Sequence, residues 1–427
     1  MINRLFKTNK SVEVGFFLAV SDIKRSNPWT TGLIIFVMML TFFNMILLNG
    51  ILIGLAQGMT GTFKLYYASD VLITPSLNKK SIEDTNMVLT VIDSLPTVKN
   101  VTARYTGQAT LEYGYQTKLK ESDSAESVNS LLVGINPEKE NKVTHLSQMI
   151  VAGEYLEPTD MDAIILGSDL ISKYTTARGS SESDGSKILK TADVGSKLRL
   201  TVNNIQKDVV VKGVVSTNNS TVDSRIYMTE TAARQLFDRK GLNVNEIAIT
   251  LTENASDTAA KSYIKNNLTG ARNVLIQTSK EAIPSGISQM IKTFTLLGVM
   301  VAAIALFVGA ITIFIVIYVN AITRRKFIGI LKAVGVPSSA IEISYIFQAL
   351  FYAIFGIIIA SIFLLGFITP YFILHPIHYP VGTGSLAITP NDVLTRAIIL
   401  LVTAFISGLV PAWLVTKQNT LDAILGR

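Results

Sequence analysis

The sequence predicts an α-helical membrane protein with four transmembrane helices and a large α+β extracytoplasmic domain inserted between helices 1 and 2. The 427 residues are 49% hydrophobic and 16% charged, whereas soluble domains carry about 25% charged residues. Four stretches contain no Asp, Glu, Lys or Arg, and each reaches the roughly 20 residues that a helix needs to cross a bilayer core. Between the first two stretches, the composition is that of a soluble α+β domain.

The spans follow from the stretches without charge. These run from Ser26 to Phe63, Thr293 to Thr323, Ile343 to Asn391 and Ala397 to Thr416. The first contains GLIIFVMMLTFFNMILLNGILIGLA, far longer than the roughly 7–15-residue apolar core of a cleaved signal peptide. We therefore predict transmembrane helices at 29–56, 293–322, 341–368 and 397–416.

The charges beside the spans predict the orientation, because cytoplasmic loops carry an excess of Lys and Arg. The N-terminal segment, the loop after the second span and the C-terminal tail are basic, whereas residues 366–391 contain no Lys or Arg. Both termini are therefore predicted to be cytoplasmic, in a plasma-membrane protein. The predicted cytoplasmic parts are an amphipathic segment (1–28), a loop (323–340) and a tail (417–427), and the extracytoplasmic parts are the domain (57–292) and a loop (369–396).

The cytoplasmic segment before the first span shows helical periodicity. Its apolar residues recur at helical spacing and are Val12, Phe16, Ala19, Val20 and Ile23. This pattern predicts an amphipathic helix lying on the inner leaflet.

The segment 57–292 has as many Lys and Arg as Asp and Glu, 26 of each. The net charge of +7 therefore belongs to the membrane part. It indicates membrane orientation, and not nucleic-acid binding, which needs basic residues clustered on a soluble face. Residue patterns in this segment predict strands at 70–75, 98–104, 130–135, 163–167, 197–202, 208–216, 225–230 and 245–251, and helices at 81–95, 230–239 and 256–268.

No pattern of catalytic or metal-ligating residues is present in the sequence. There is no Cys, which excludes disulfides and thiolate chemistry. His145, His375 and His378 form no zinc signature, and the phosphate-binding loop G-x-x-x-x-G-K-[ST] is absent. We therefore expect a non-catalytic chain with no metal and no cofactor of its own.

Small and polar residues in the first span predict close helix packing. Gly50, Gly54 and Gly58 are four residues apart, a spacing that lets a neighbouring helix approach, including one from a second copy of the chain. Asn44 and Asn49 are polar residues within an apolar stretch, which favours hydrogen bonds between helices.

The loop after the second span predicts a short helix from about 326 to 334 on the cytoplasmic side. Gly335 can end it in a left-handed conformation, and Pro337 prevents its return. An anchor that only orients the chain explains the basic residues here, but it does not explain this turn. We interpret the helix as one that inserts into a groove of a cytoplasmic partner and passes force to the spans. Its candidate contact residues are Arg325, Phe327, Ile330, Leu331, Val334 and Gly335.

The same loop carries a family resemblance. RRKFIGILKAVGVPSSAI resembles the E-I-G-(I/L)-L-(R/K)-A-(L/V/I)-G pattern of the FtsX/MacB/LolCE-type ABC-transporter permeases, with Phe327 where Glu is usual. The ends FLAVSDIKRSNPWT and GLVPAWLVTKQNTLDAILGR are similar to the ends of the same family. In the outer domain, DVLITP, LLVGINPEKE, AIILGSDL and VVVKGVVST resemble the periplasmic domain of MacB- and Lol-type members.

The resemblance implies a permease subunit that binds no ATP itself. Its implied partners are a separate cytoplasmic ATPase of the MacB/LolD type at the short helix, a second permease copy or paralogue, the lipid membrane, and an adaptor or substrate protein outside, with no nucleic acid. By analogy, residues 60–120 and 220–285 form a membrane-proximal lobe above a stalk, and residues 125–215 form an inserted β-rich lobe. Such permeases couple ATP-driven closure to movement of the outer domains, for efflux, lipoprotein release or export of peptides.

Two other functions stay open from the sequence. One is an FtsX-like signal relay that activates an extracellular cell-wall enzyme, although the outer domain of such proteins is typically smaller. The other is a membrane-anchored receptor without an ATPase, which has no functional need for the short cytoplasmic helix.

Overall fold

The computed structural model describes residues 9–76, 79–117, 126–175, 188–238, 241–268, 273–375, 377–379, 382–384 and 386–417. Arg4 and Lys7 of the predicted cytoplasmic segment, and residues 418–427 of the predicted tail, lie outside the described residues. The helices, in chain order, are α1 (Asn9–Arg25), α2 (Pro28–Phe63), α3 (Thr85–Asp93), α4 (Pro137–Thr144), α5 (Ser172–Thr175), α6 (Ser220–Asp223), α7 (Glu230–Leu236), α8 (Asp257–Asn267), α9 (Ser285–Thr323), α10 (Arg325–Ala333), α11 (Ser338–Phe363), α12 (Thr369–Leu374) and α13 (Pro390–Thr416).

The strands are interspersed among these helices. In chain order they are β1 (Val71–Pro75), β2 (Val98–Tyr113), β3 (Glu126–Ile135), β4 (Ile150–Gly153), β5 (Ala163–Gly167), β6 (Lys197–Val202), β7 (Ile205–Val215), β8 (Arg225–Thr229), β9 (Glu246–Leu251), β10 (Val274–Thr278), β11 (Ile377–Tyr379) and β12 (Gly382–Gly384). The chain divides into two compact units: a helical unit (residues 1–55, 290–376 and 385–427) and a sheet unit (residues 56–289 and 377–384).

Within the described residues, four helices are long and apolar enough to cross a membrane. They are α2 with the π-helical turn Lys64–Ala68, α9, α11 continued through the π-helical turn Leu364–Ile368 and α12, and α13. The four apolar helices and the intervening α+β domain agree with the fold class that the sequence predicts.

Each of these helices is longer than its predicted span. α2 continues to Phe63, past the predicted end at 56, and α9 begins at Ser285, before 293. The apolar stretch marks only the part of a helix suited to lipid, so it does not report polar turns that extend the helix beyond the lipid.

The segment predicted as the loop 369–396 contains helix at both ends. The third apolar helix continues to Leu374, and Pro370 lies just after the π-helical turn Leu364–Ile368, where the Thr369 hydroxyl donates to the Leu364 carbonyl at 3.0 Å. α13 begins at Pro390, where Thr389 and Asp392 form a capping box and proline occupies the first turn.

The N-terminal helix α1 packs on the start of α11 through small residues. Ser11, Gly15 and Ala19 are buried and lie four residues apart, so they share one face. A β-carbon on Gly15 would lie 2.7 Å from the Ile343 side chain. Phe16 of the predicted apolar face is 55% exposed, and its ring packs edge-to-face on Phe347 of α11 with 5.5 Å between the ring centroids. The packing face therefore shares Ala19 with the predicted apolar face, but it also uses Ser11 and Gly15, which the periodicity does not predict.

The core of the helical unit depends on close approaches at glycine. Gly356 of α11 lies against Met38 of α2, where an added β-carbon would be 2.7 Å from the Met38 β-carbon. Gly309 of α9 lies against Thr41 of α2, with a corresponding distance of 2.9 Å. These contacts bring α11 and α9 onto α2, and small residues permit such approach in membrane helices.

The sheet unit is built around strand β2, which takes part in two sheets. Residues 98–104 of β2 pair with β9, and β9 continues through β1 to β10. Residues 105–113 pair with β3, and the order β2–β3–β8–β5–β7–β6 returns to β2, because β6 pairs with both β7 and β2. Six strands therefore form a closed ring, which leaves none of the six as a free edge.

The predicted lobes differ from this arrangement. The ring includes β8 and the second half of β2, which the family analogy assigns to the membrane-proximal lobe, together with strands from 126 to 215. All eight predicted strands are present, and β4, β10, β11 and β12 are additional strands that the residue patterns do not predict. The sequences of β4 (IVAG) and β10 (VLIQT) show no clear alternation of apolar and polar residues.

Candidate functional site: the short helix α10 and its supports

The short helix α10 ends at a glycine-dependent turn, as the sequence predicts. Gly335 has φ of +99°, a conformation that other L-residues rarely adopt. The Val336 N–H donates to the Leu331 carbonyl at 3.0 Å, and the Gly335 N–H donates to the Lys332 carbonyl at 3.0 Å. These two bonds form a Schellman motif, which ends the helix by satisfying its last carbonyl groups. Pro337 then precedes the first residue of α11.

The apolar residues of α10 face in two directions. Ile328 and Gly329 are buried, and Leu331 packs against the core of the helical unit. Phe327 is 47% exposed, Ile330 is 52% exposed and Val334 is 80% exposed. Leu331, which the sequence analysis grouped with these three, therefore belongs to the inward side. We call Phe327, Ile330 and Val334 the apolar patch.

Polar contacts on the side chains at both ends of the short helix connect it to α1 and α13, and α11 supports the contact with α1. Arg324, directly before α10, forms an ion pair with Asp22 of α1, and Gln348 of α11 donates to the same carboxylate at 3.3 Å. At the other end, Lys332 donates to the carbonyl oxygen of Thr416 of α13. A displacement of α10 would therefore act on α1, α11 and α13.

The predicted packing residues of α2 lie in different environments. Asn44 is exposed, whereas Asn49, Gly50 and Gly54 are buried. The Gly50 carbonyl accepts a bond from the Ala387 N–H at 3.1 Å. A β-carbon on Gly50 would lie 3.1 Å from the Leu386 side chain. The close neighbour of Gly50 is thus the segment before α13 of the same chain.

Asn49 forms a polar contact between α2 and α13. With the amide oriented so that its oxygen faces the guanidinium, Asn49 accepts from Arg396 Nη2 at 2.5 Å and from Nη1 at 2.9 Å. Arg396 Nη1 also donates to the Met45 carbonyl at 2.5 Å.

The sheet unit contains a buried ionic cluster, composed of Arg104, Glu140, Arg225, Glu246 and Tyr67. Arg104 is 2% exposed and forms a bidentate pair with Glu140, in which Nη2 lies 2.8 Å from Oε1 and Nε lies 3.0 Å from Oε2. Glu246 Oε2 lies 3.4 Å from Arg104 Nη1 and 3.5 Å from Arg225 Nη1. Two arginines and two glutamates make the cluster electrically neutral.

The ionic cluster fixes the residues that directly follow α2. Arg104 Nη2 donates to the Tyr67 carbonyl at 2.9 Å. The Tyr67 hydroxyl donates to Glu246 Oε1 at 2.8 Å and accepts from Arg225 Nη2 at 3.1 Å. Because Tyr67 lies in the π-helical turn that continues α2, the cluster ties the end of this helix to strands β2, β8 and β9 and to α4.

The charges within the cluster set its protonation. Burial alone would raise the pKa of Glu246, but the positive charges of Arg225 and Arg104 and the Tyr67 hydrogen bond more than offset burial, and the pKa of this carboxyl is lowered. Burial would lower the pKa of Arg104, but the Glu140 and Glu246 carboxylates more than offset it, so that the pKa is raised. Glu246 and Arg104 therefore both stay charged at neutral pH.

The described residues contain no group of three or more His, Asp or Glu side chains that could hold a metal ion. The side chain of His378 lies outside the described residues.

The comparisons with known proteins agree on one family. Residues 299–420, which contain α10, α11 and α13, match the family described as FtsX-like permease C-terminal. An uncharacterized ABC transporter permease of Methanocaldococcus jannaschii is 28% identical over 217 residues, which cover 50% of each chain. This chain contains an FtsX-like permease C-terminal domain. The resemblance predicted from the sequence motifs is confirmed, and the match spans about half the length of this curated relative.

Two solved structures are similar to about half of this chain. The periplasmic region of MacB from Actinobacillus actinomycetemcomitans has 14% identity and a TM-score of 0.34, covering 53% of this chain and 94% of that chain. The extracellular domain of the noncanonic ABC-type transporter YknZ from Gram-positive bacteria has 16% identity and a TM-score of 0.30, covering 49% of this chain and 97% of that chain. Both TM-scores lie below 0.5.

Proposed function

We propose that this permease couples ATP hydrolysis by a separate cytoplasmic ATPase to movement of its extracytoplasmic domain, for export or extraction of lipophilic or peptide cargo. The observation that carries the proposal is the apolar patch of Phe327, Ile330 and Val334 on a helix that is held from behind. An exposed apolar patch on a helix supported by three others is suited to insertion into a partner's groove. The basic residues next to it favour the cytoplasmic side.

The supports of α10 give the proposed coupling a physical route. A push on the apolar patch would act on α13 through Lys332 and on α1 through the Arg324–Asp22 pair. Hydrogen bonds and ion pairs of this kind transmit displacement because breaking them at low dielectric is costly. We propose that a second permease copy or paralogue completes the complex, with an adaptor or substrate protein outside, and that this chain supplies no catalytic group.

Replacing Val334 or Ile330 with aspartate should reduce ATPase binding by about tenfold or more, because a charge then replaces apolar surface that is buried on docking. The measurement is co-purification of the cytoplasmic ATPase with this permease, together with the stimulated hydrolysis rate of the ATPase in vesicles. Val151→Asp is the matched control, since Val151 is also exposed (54%) but lies on β4 of the sheet unit.

The control variant should bind the ATPase as the wild type does. Equal ATPase association for Val334→Asp and wild type would contradict the proposed docking site and favour a receptor without an ATPase. If docking is confirmed, the loss of a lipopeptide from reconstituted vesicles on ATP addition distinguishes transport from a signal relay.

The proposed orientation can be tested by single-cysteine labelling, because the natural chain has no Cys. Val151→Cys should react with a membrane-impermeant maleimide on intact cells, whereas Val334→Cys should react only after permeabilisation. Both positions are well exposed, so access to the reagent and not burial decides the result. Labelling of Val334→Cys on intact cells would contradict the proposed cytoplasmic position of α10.

A further inference from the structure

We propose that Arg396, where α13 meets α2, binds the phosphate of an anionic phospholipid headgroup. This lipid site is independent of ATPase docking, and it holds whichever leaflet contains this end of α13. Arg396 has unused hydrogen-bond donors, forms no ion pair with a described carboxylate and lies next to apolar surface.

One edge of the guanidinium is used within the protein and the other is left open. Nη1 donates to the Met45 carbonyl, and Nη1 and Nη2 both donate to the Asn49 side-chain oxygen. Among the described residues, none accepts a hydrogen bond from Nε or from the second hydrogen of Nη2. These two N–H groups lie on the same edge of the guanidinium and point in parallel, an arrangement that matches two oxygens of a phosphate.

Arg396 is attracted by the Asp392 carboxylate one turn earlier, but it forms no ion pair in the part of the chain that the structure describes. No carboxylate of the described residues lies within 4 Å of the guanidinium, and both of its protein partners are neutral groups. Asp392, one turn earlier, is engaged in the capping box, where its Oδ2 accepts from the Thr389 hydroxyl at 2.6 Å. A half-buried, unpaired charge beside a membrane span is costly, so an external anion at this position would be bound favourably.

The position of Arg396 favours a lipid over a soluble anion. Arg396 directly precedes the charge-free stretch 397–416, so its guanidinium lies at the depth expected of a headgroup. Ile399 follows three residues later, on the same face of α13 and one turn further into the apolar stretch. Its side chain is 42% exposed and offers a surface to an acyl chain.

The site is formed before any ligand binds, because close packing holds Asn49. The Asn49 amide lies 3.1 Å from the position of a β-carbon on Gly298 of α9, so a larger residue there would press on the amide. The neighbouring Gly50 is fixed by its bond from Ala387. Asn49 therefore orients Arg396 without ordering a mobile side chain at the moment of binding, which favours affinity.

The test compares phosphatidylglycerol binding to full-length wild-type, Arg396→Gln, Arg396→Lys and Lys292→Gln proteins, purified in detergent and analysed by native mass spectrometry. Lys292→Gln is the matched control: Lys292 is exposed and directly precedes the charge-free stretch 293–323, as Arg396 precedes its own. Arg396→Gln should lower the affinity by about tenfold or more, because a charge-assisted bidentate contact is lost. Lys292→Gln should bind as the wild type does.

Three outcomes would overturn the proposal. The first is wild-type binding by Arg396→Gln, and the second is an equal loss in Lys292→Gln, which would indicate general attraction to charge. The third is displacement of the lipid by inorganic phosphate, which would indicate a soluble anion. If Arg396→Gln does not fold, Arg396→Lys decides. Arg396→Lys keeps the positive charge but loses the two parallel N–H groups of the guanidinium, so it should bind the lipid several-fold more weakly. Unchanged binding would contradict the bidentate contact.

Discussion

Replacing Arg104 with methionine should destabilise the sheet unit by about 3–5 kcal/mol, because it removes one partner of a buried ion pair. Arg104 is 2% exposed and holds Glu140 by a bidentate contact, with Glu246 3.4 Å away. Without it, Glu140 keeps only the hydroxyl groups of Thr102 and Thr144 as partners. The loss of unfolding free energy is measured by chemical denaturation of the full chain, with hydrogen exchange of the β2 and β9 amides as the readout for the sheet unit.

The double variant Arg104→Met/Glu140→Leu is the control for this result. It removes a positive and a negative charge together, so that the Arg225–Glu246 pair with Tyr67 stays neutral. Replacing both members of a buried pair with apolar groups is often close to neutral. The double variant should therefore be more stable than Arg104→Met alone. A double variant as unstable as the single one would show that the cost is a packing defect and not an unpaired carboxylate.

The same pair of variants separates stability from attachment of the helix end. Both lose the bond from Arg104 to the Tyr67 carbonyl, which ties the turn after α2 to the sheet. Amide exchange at residues 64–69 should therefore be faster in both variants, although only the single variant loses much global stability. Unchanged exchange in the double variant would assign the attachment to Arg225 and Glu246 alone.

The sequence could not predict this ionic cluster, although it predicted the strands that carry it. The four charged residues come from β2, α4, β8 and β9, and their pairing depends on tertiary register. A signal is present only in VTARY, where Arg104 stands among the apolar and β-branched residues of a predicted strand. Periodicity identifies elements, but it does not identify which charged side chains meet inside.

In the helical unit, too, the sequence predicts features that act within a few residues but not those that depend on how the helices pack. The turn at Gly335 was predictable, because a left-handed residue and a following proline act within a few residues. The inward position of Leu331 was not, because it depends on how α10 rests on the other helices. For α1, hydrophobicity indicates the apolar residues, whereas the contact with α11 uses Ser11, Gly15 and Ala19, which allow close approach.

Replacing Gly356 with alanine should destabilise the helical unit by about 1–3 kcal/mol through overpacking. The added β-carbon would lie 2.7 Å from the Met38 β-carbon and 2.9 Å from the Met38 carbonyl carbon and the Met39 nitrogen. These are atoms of the α2 backbone or directly attached to it, so no flexible side chain can move aside. Relief requires α2 and α11 to separate, which loosens the contacts of Met38, a fully buried residue.

Gly32→Ala is the matched control, because it makes the same change in a long helix where no atom lies within 4 Å of the new β-carbon. Alanine favours helix over glycine by up to about 1 kcal/mol, so Gly32→Ala should leave the melting temperature of the detergent-solubilised chain unchanged or raise it. Gly356→Ala gains the same helix propensity, so the difference between the two melting temperatures isolates the steric cost at the α2–α11 crossing. Equal melting temperatures would mean that the two helices can separate at little cost, and that their close contact at Gly356 does not stabilise the helical unit.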